Sequence, residues 1–186
     1  MIRPDLSLPI PDDITAAHFI GIGGSLGAQR LNEAIAGSWQ DVLDAGWQIL
    51  HATGDRSDMP DPGVPGYALR RYLDRMDLAF ALADLILSRS GSATVSEISA
   101  LGIPAIYVPY AVGNGEQRLN AAAAIDAGAA LLIEDGQLTP ERVRGEVVPL
   151  LGDEVRRAAM RQAAERVGSR TGTEDLIALA DRALAR

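Results

Sequence analysis

The sequence has no cysteine, so disulfides, thiolate nucleophiles and cysteine zinc sites are excluded. It also has no lysine: all 17 basic residues are arginine, which removes the P-loop lysine, Schiff-base lysines and lysine general bases. The two histidines, His18 and His51, are too few for a histidine-rich metal site. No long apolar run exists either. The longest stretches, 78–87 and 121–133, are interrupted by Asp84 and Asp126 and fall short of the roughly 20 residues a membrane helix needs. No basic segment followed by an apolar one opens the chain, so the expected location is cytoplasmic, with any membrane contact at its inner face made through a partner. A net charge of −8 argues against a broad nucleic-acid or anionic-lipid surface, because both need a basic field. What remains is 186 residues, 47% apolar and 23% charged, with mean hydropathy +0.06: a single globular domain's worth of chain.

The first fifteen residues, with Pro4, Pro9 and Pro11, read as a linker or extended lead-in, and the folded domain is expected over 16–186. From there short apolar runs alternate with helical stretches. Strands are expected at 17–22, 47–52, 67–72, 84–88, 103–108 and 129–134. Helices are expected between them at 26–45, 76–82, 94–101 and 117–127. The run 103–108 is apolar throughout, as strands are when helices cover both faces of a sheet. The pattern predicts an α/β fold: a doubly wound, Rossmann-like parallel sheet of about six strands. Three helices follow, starting at Thr139-Pro140, near Gly152-Asp153 and after Gly172-Thr173. Ligands of such sheets sit beyond the carboxyl ends of the strands, so the informative loops are those that follow strands.

Three loops stand out. Gly21-Ile-Gly-Gly-Ser-Leu-Gly27 joins the first strand to the first helix, where glycines let backbone N–H groups and the helix dipole approach a phosphate. Leu26 stands where a dinucleotide fingerprint has a third glycine or alanine, and the second strand ends at His51-Ala-Thr-Gly54 without a ribose-binding acid; a conventional NAD site is disfavoured. A tight β–α turn with no ligand is the plainer alternative. Ser88-Arg-Ser-Gly-Ser-Ala-Thr-Val-Ser-Glu97 makes a second anion nest, with Ser92 or Thr94 as a helix cap and free backbone N–H groups for a diphosphate. Glu97 either completes the capping or reaches a ribose diol, and Arg89 either closes a salt bridge at the sheet end or meets a phosphate. The third loop, Pro109 to Asn120, clusters Asn114, Glu116, Gln117 and Asn120 at a helix start; amides suit sugar hydroxyls because they donate and accept in fixed directions. Taken together, the three loops fit a nucleoside-diphosphate sugar better than a dinucleotide.

Four segments carry a resemblance: Gly23-Gly-Ser-Leu-Gly-Ala-Gln-Arg-Leu-Asn32, Tyr72-Leu-Asp-Arg-Met76, Arg89-Ser-Gly-Ser-Ala-Thr-Val-Ser-Glu97 and Gly115-Glu-Gln-Arg-Leu-Asn120. In this order they resemble the MurG family of UDP-N-acetylglucosamine transferases of cell-wall precursor synthesis. The likeness extends from about His18 onward and covers the carboxyl-terminal, donor-binding half of a two-domain GT-B architecture. It implies that Ser25 and Leu26 meet the donor's phosphates or sugar, and that Leu73 holds uracil through its backbone with Tyr72 beside the base. It further implies that the Ala93-Thr94 helix start takes the α-phosphate, that Glu97 takes the ribose hydroxyls, and that Gln117 takes the N-acetylglucosamine hydroxyls. Glu116 is the one-residue alternative to Gln117, and a carboxylate there disfavours a nearby diphosphate. Asn120 and Arg89 complete the set.

The family's amino-terminal half, to which the resemblance assigns acceptor binding, the general base and membrane contact, has no counterpart in fifteen linker-like residues. The expected protein is therefore the UDP-N-acetylglucosamine-binding half of an inverting glycosyltransferase of lipid II synthesis that binds donor without turning over alone. No cofactor or metal is expected. An acceptor-binding domain or subunit is expected as partner, with the lipid-linked acceptor met only through it. The alternatives are a split-transferase subunit with a membrane-anchored partner, and a truncated or engineered domain that only folds. Without its partner the chain should expose a partly apolar cleft and tend to self-associate.

Overall fold

The computed structural model describes residues 18–23, 28–111, 114–169 and 172–184. Six strands form one sheet: β1 (His18–Ile22), β2 (Gln48–Ala52), β3 (Tyr67–Arg70), β4 (Ala83–Ser88), β5 (Ala105–Tyr107) and β6 (Ala130–Leu132). Every pairing is parallel and the strand order is β3-β2-β1-β4-β5-β6, the doubly wound arrangement expected. All six expected strands occur at their expected places. Since the strands run the same way, all their carboxyl ends share one edge. The strand order reverses its direction of growth between β1 and β4, the switch point at which sheets of this kind open a crevice.

Helices cover both faces. One layer consists of α1 (Gln29–Ala36), α2 (Trp39–Asp44), α6 (Pro140–Arg142) and α7 (Val148–Gly152), the last two joined by a π turn at Val143–Val147. The other consists of α3 (Met76–Leu82), α4 (Ser92–Ala100), α5 (Glu116–Asp126) and α8 (Glu154–Val167). Helix α9 spans Gly172–Leu184. Side chains alternate along the strands, as the pleat requires. Phe19, Leu85, Leu87 and Ile106 pack under Leu31, Ile35, Val143 and Leu150, while Ile20, Ile86, Ala105 and Tyr107 pack under Phe80, Val95, Ile98 and Ala121.

The single helix expected over 26–45 is divided at Gly37-Ser38. Ser38 turns its hydroxyl back to donate to the Ala34 carbonyl at 2.7 Å, and a side chain on Gly37 would lie 2.5 Å from Pro140 Cγ. The break lets α6 come in close against the end of α1. The third strand stops at Arg70, and the next residues, including Tyr72 and Leu73, form the β3–α3 turn.

Candidate functional site

The three loops singled out in the sequence follow β1, β4 and β5, which are neighbours in the sheet, so topology gathers them at one edge. Tyr72 and Leu73 follow β3 at that edge, two strands from β1. Leu73 packs on the same face as α4, whereas Tyr72 is 55% exposed. Ser25 and Leu26 lie outside the described residues.

Helix α4 starts with Gly91 as its cap residue, and no side chain caps it. This corrects the expectation that Ser92 or Thr94 does so: Ser92 is already the first helical residue. The first amide bonded into the helix is that of Val95, to the Gly91 carbonyl at 2.9 Å. The N–H groups of Ser92, Ala93 and Thr94 thus have no intrahelical acceptor and point out of the positive end of the helix. Glu97 lies further along the helix, exposed and not engaged in capping. Just before the helix, Ser88 and Ser90 are buried with hydroxyl oxygens that find no hydrogen-bond partner.

Arg89 takes the salt-bridge alternative. Its Nη1 lies 2.6 Å from Asp135 Oδ1, donates to the Val108 and Pro109 carbonyls at 3.1 and 3.3 Å, and the guanidinium sits 5.5 Å from the centre of the Tyr110 ring. Asp135 also receives Arg30 Nε at 3.1 Å. Arg89 is therefore a clamp that ties the β4 end to the β5–α5 loop. Asn120 does similar work, its Nδ2 donating to the Ser90 carbonyl at 3.1 Å across the two loops. Gln117 Oε1 accepts from the Tyr110 amide at 2.9 Å, which leaves the Gln117 NH₂ group to donate elsewhere. Glu116 is exposed in the first turn of α5, where Gly115 at φ +77° makes the bend into the helix. Its backbone amide bonds to Asn114 Oδ1 at 3.2 Å.

Sequence reasoning missed a buried polar chain beside the first loop. The His51 ring lies between Tyr67 Oη at 2.6 Å and Asn32 Oδ1 at 3.1 Å, and Asn32 Nδ2 donates to the Thr53 carbonyl at 2.9 Å. Burial pushes the His51 imidazole down to about 4. Asn32 closes the first of the four recognised segments, and that was the only signal for it. A separate groove of about 620 Å³, lined by Ile125, Leu131, Met160, Arg156 and Arg166 among others, lies at the far side of α5 and away from the loop edge. Among the described residues no group of histidines and carboxylates is placed to hold a metal.

Residues 19–177 match the family described as Glycosyltransferase family 28 C-terminal domain. The chain belongs to that family. Within glycosyltransferase family 28, a relative from Streptomyces avermitilis is 44% identical over 188 residues, which is 99% of this chain and 52% of the relative. One from Leifsonia xyli subsp. xyli is 49% identical over 157 residues, 84% of this chain and 44% of the relative. Both are UDP-N-acetylglucosamine--N-acetylmuramyl-(pentapeptide) pyrophosphoryl-undecaprenol N-acetylglucosamine transferases. The crystal structure of MurG from Acinetobacter baumannii superposes with a TM-score of 0.76 at 25% identity, over 90% of this chain and 50% of that one. A calicheamicin glycosyltransferase shares the fold, with a TM-score of 0.67 at 21% identity. The family resemblance and the expected fold, one half of a GT-B glycosyltransferase, are thereby shown. The chain spans about half the length of the curated relatives it matches. No helix among the described residues is long and apolar enough to cross a membrane.

Proposed function

We propose that this family 28 domain is the donor-binding half of an inverting glycosyltransferase and that its ligand is UDP-N-acetylglucosamine. The observation that carries the reading is the uncapped start of α4, flanked by the β1–α1 and β5–α5 loops, in a chain whose full-length relatives bear that sugar nucleotide in their names. The diphosphate sits at the Ser92, Ala93 and Thr94 amides, and Ser25 and Leu26 of the first loop are assigned to the donor's phosphates or sugar by the family resemblance alone. Glu97 accepts from the ribose hydroxyls, the Leu73 backbone and Tyr72 hold the base, and the Gln117 amide donates to the sugar. As the glycosidic bond breaks, negative charge builds on the leaving diphosphate, and the fixed N–H groups and dipole of α4 stabilise it there.

An acceptor hydroxyl that attacks the anomeric carbon must also lose a proton. His51 is no base for it: the ring is fully buried, hydrogen-bonded at both nitrogens and held neutral. Glu97 is committed to the ribose in this reading. In this reading the acceptor and its base come with another domain or subunit, and this domain alone binds donor without transferring it. Tyr72, Tyr110 and Leu119 are large side chains left 55%, 55% and 73% exposed around the loop edge, a surface suited to such a partner. The setting is the cytoplasmic face of a membrane, reached through that partner.

Calorimetric titration with UDP-N-acetylglucosamine, UDP, dTDP-glucose and NAD tests this. Saturable binding confined to the uracil nucleotides and lost in Glu97→Ala supports it. Equal or absent binding of all four overturns it.

A further inference from the structure

Asp135 has no role in the donor site as proposed above, yet two arginines converge on it. It opens the short helical turn Asp135–Gln137 after β6, with 14% of its side chain exposed. Its Oδ2 meets Arg30 Nε at 3.1 Å and its Oδ1 meets Arg89 Nη1 at 2.6 Å; the Arg30 side chain is 48% exposed and that of Arg89 15%. The turn is anchored from below, because Leu138 is buried and its amide donates to the Asp135 carbonyl at 3.2 Å. The neighbouring carboxylate, Glu134, pairs with Arg118 at the surface, where the two side chains are 45% and 62% exposed. Exposed pairs contribute little, whereas removing one member of a shielded pair leaves the other charge without its partner. Of the two carboxylates, Asp135 is therefore the one whose loss is felt.

Arg89 passes the constraint on. The same Nη1 that meets Asp135 donates to the Val108 and Pro109 carbonyls at 3.1 and 3.3 Å, and the guanidinium lies against the Tyr110 ring. Three consecutive residues leaving β5 are thus held by one guanidinium. The amide of the third, Tyr110, donates to Gln117 Oε1 at 2.9 Å. A side-chain amide that gives its oxygen to a fixed donor turns its NH₂ the other way. If the Tyr110 amide shifts, nothing in that pairing decides whether Gln117 presents its NH₂ or its oxygen. The relay runs from Asp135 through Arg89 and the Tyr110 amide to Gln117, and each link is a polar contact.

We infer that Asp135 is a positioning residue, which through Arg89 and the Tyr110 amide sets which end of the Gln117 side chain faces the donor's sugar. This rests on the donor-site reading for the sugar, and on the contacts above for the positioning.

The test reads the ratio of UDP-N-acetylglucosamine affinity to UDP affinity by calorimetry, and amide hydrogen exchange without ligand. Gln117→Ala removes the sugar contact and lowers the ratio about fivefold, the scale of one hydrogen bond. Asp135→Asn, which removes the charge and keeps the shape, lowers it about threefold. Arg89→Lys, a second variant should Asp135→Asn not fold, keeps the charge without the planar fork and lowers the ratio likewise. In a Gln117→Ala background neither change lowers it further. Glu134→Gln, the same charge change one residue away, leaves the ratio as it is, which separates positioning from the field at the diphosphate. Without ligand, Tyr110 amide exchange rises several-fold in Asp135→Asn, while the Ile86 amide, bonded to the Pro104 carbonyl at 3.1 Å in the sheet, is unchanged. A ratio lowered by Gln117→Ala but not by Asp135→Asn overturns the inference, as does an equal loss in the Gln117→Ala background or in Glu134→Gln. A ratio that Gln117→Ala leaves unchanged, or a native chain that binds neither nucleotide, refutes the sugar contact of the donor-site reading. The positioning is then judged by Tyr110 against Ile86: selective acceleration upholds it, and parallel or absent acceleration overturns it.

Discussion

Lowering the pH through the histidine range should destabilise this domain by a calculable amount. His51 titrates near 6.5 when unfolded and near 4 in the fold, where burial without a compensating carboxylate disfavours the imidazolium. Between those values the unfolded chain binds a proton that the native one does not, so stability is full above about pH 6.5 and falls as pH drops toward 4. The whole window is worth about 3 kcal/mol, with about 2 kcal/mol already lost near pH 5. Asp77 and Glu141, held below the usual carboxylate range by hydrogen bonds from Arg75 and from the start of α6 respectively, contribute stability that is lost only at lower pH. Urea unfolding at a series of pH values between about 7.5 and 4.5 measures the slope, with His51→Gln as the reference because it keeps the hydrogen bonds but cannot titrate. A native slope no steeper than that of His51→Gln would refute the account of a neutral, locked imidazole.

Other outcomes are expected from single changes. Leu87→Ala, in the fully buried centre of β4, should cost about 2 to 5 kcal/mol in urea unfolding. Asp153→Ala removes the side chain that accepts from the Arg156 amide at 2.9 Å at the start of α8, and should cost about 1 kcal/mol in the same assay. Glu116→Gln takes an exposed carboxylate from the first turn of α5 beside the proposed diphosphate, and calorimetry should find UDP-N-acetylglucosamine bound a few-fold more tightly.

Much of the fold was legible because its strands are nearly pure apolar runs. Ile103 to Val108 and Leu85 to Ser88 read as buried strands without any structural knowledge, and the glycine and serine loops after them marked the functional edge. Helix ends were less legible. The break at Gly37-Ser38 leaves room for Pro140, a hundred residues away in the chain, and a helix-period pattern does not carry that information. The same holds for Arg89, whose two alternatives differ only in whether Asp135 lies within reach; the short helical turn at Asp135–Gln137 puts it there. Capping by Ser92 or Thr94 was a reasonable expectation from residue type, yet the helix starts one residue too early for Ser92 to cap it and three too early for Thr94. His51 and Asn32 were visible only as a lone histidine and the end of a motif. Their partnership is a tertiary contact between residues 19 apart, and no local pattern encodes it.

The most direct test of the central claim is to follow backbone amide resonances of the ¹⁵N-labelled domain as UDP is added. The donor-site account predicts that Ser92, Ala93 and Thr94 shift together and saturate with UDP, shift weakly with uridine, and stay still with NAD. Saturating UDP that leaves these three amides unmoved, or that moves only residues away from the loop edge, would contradict it.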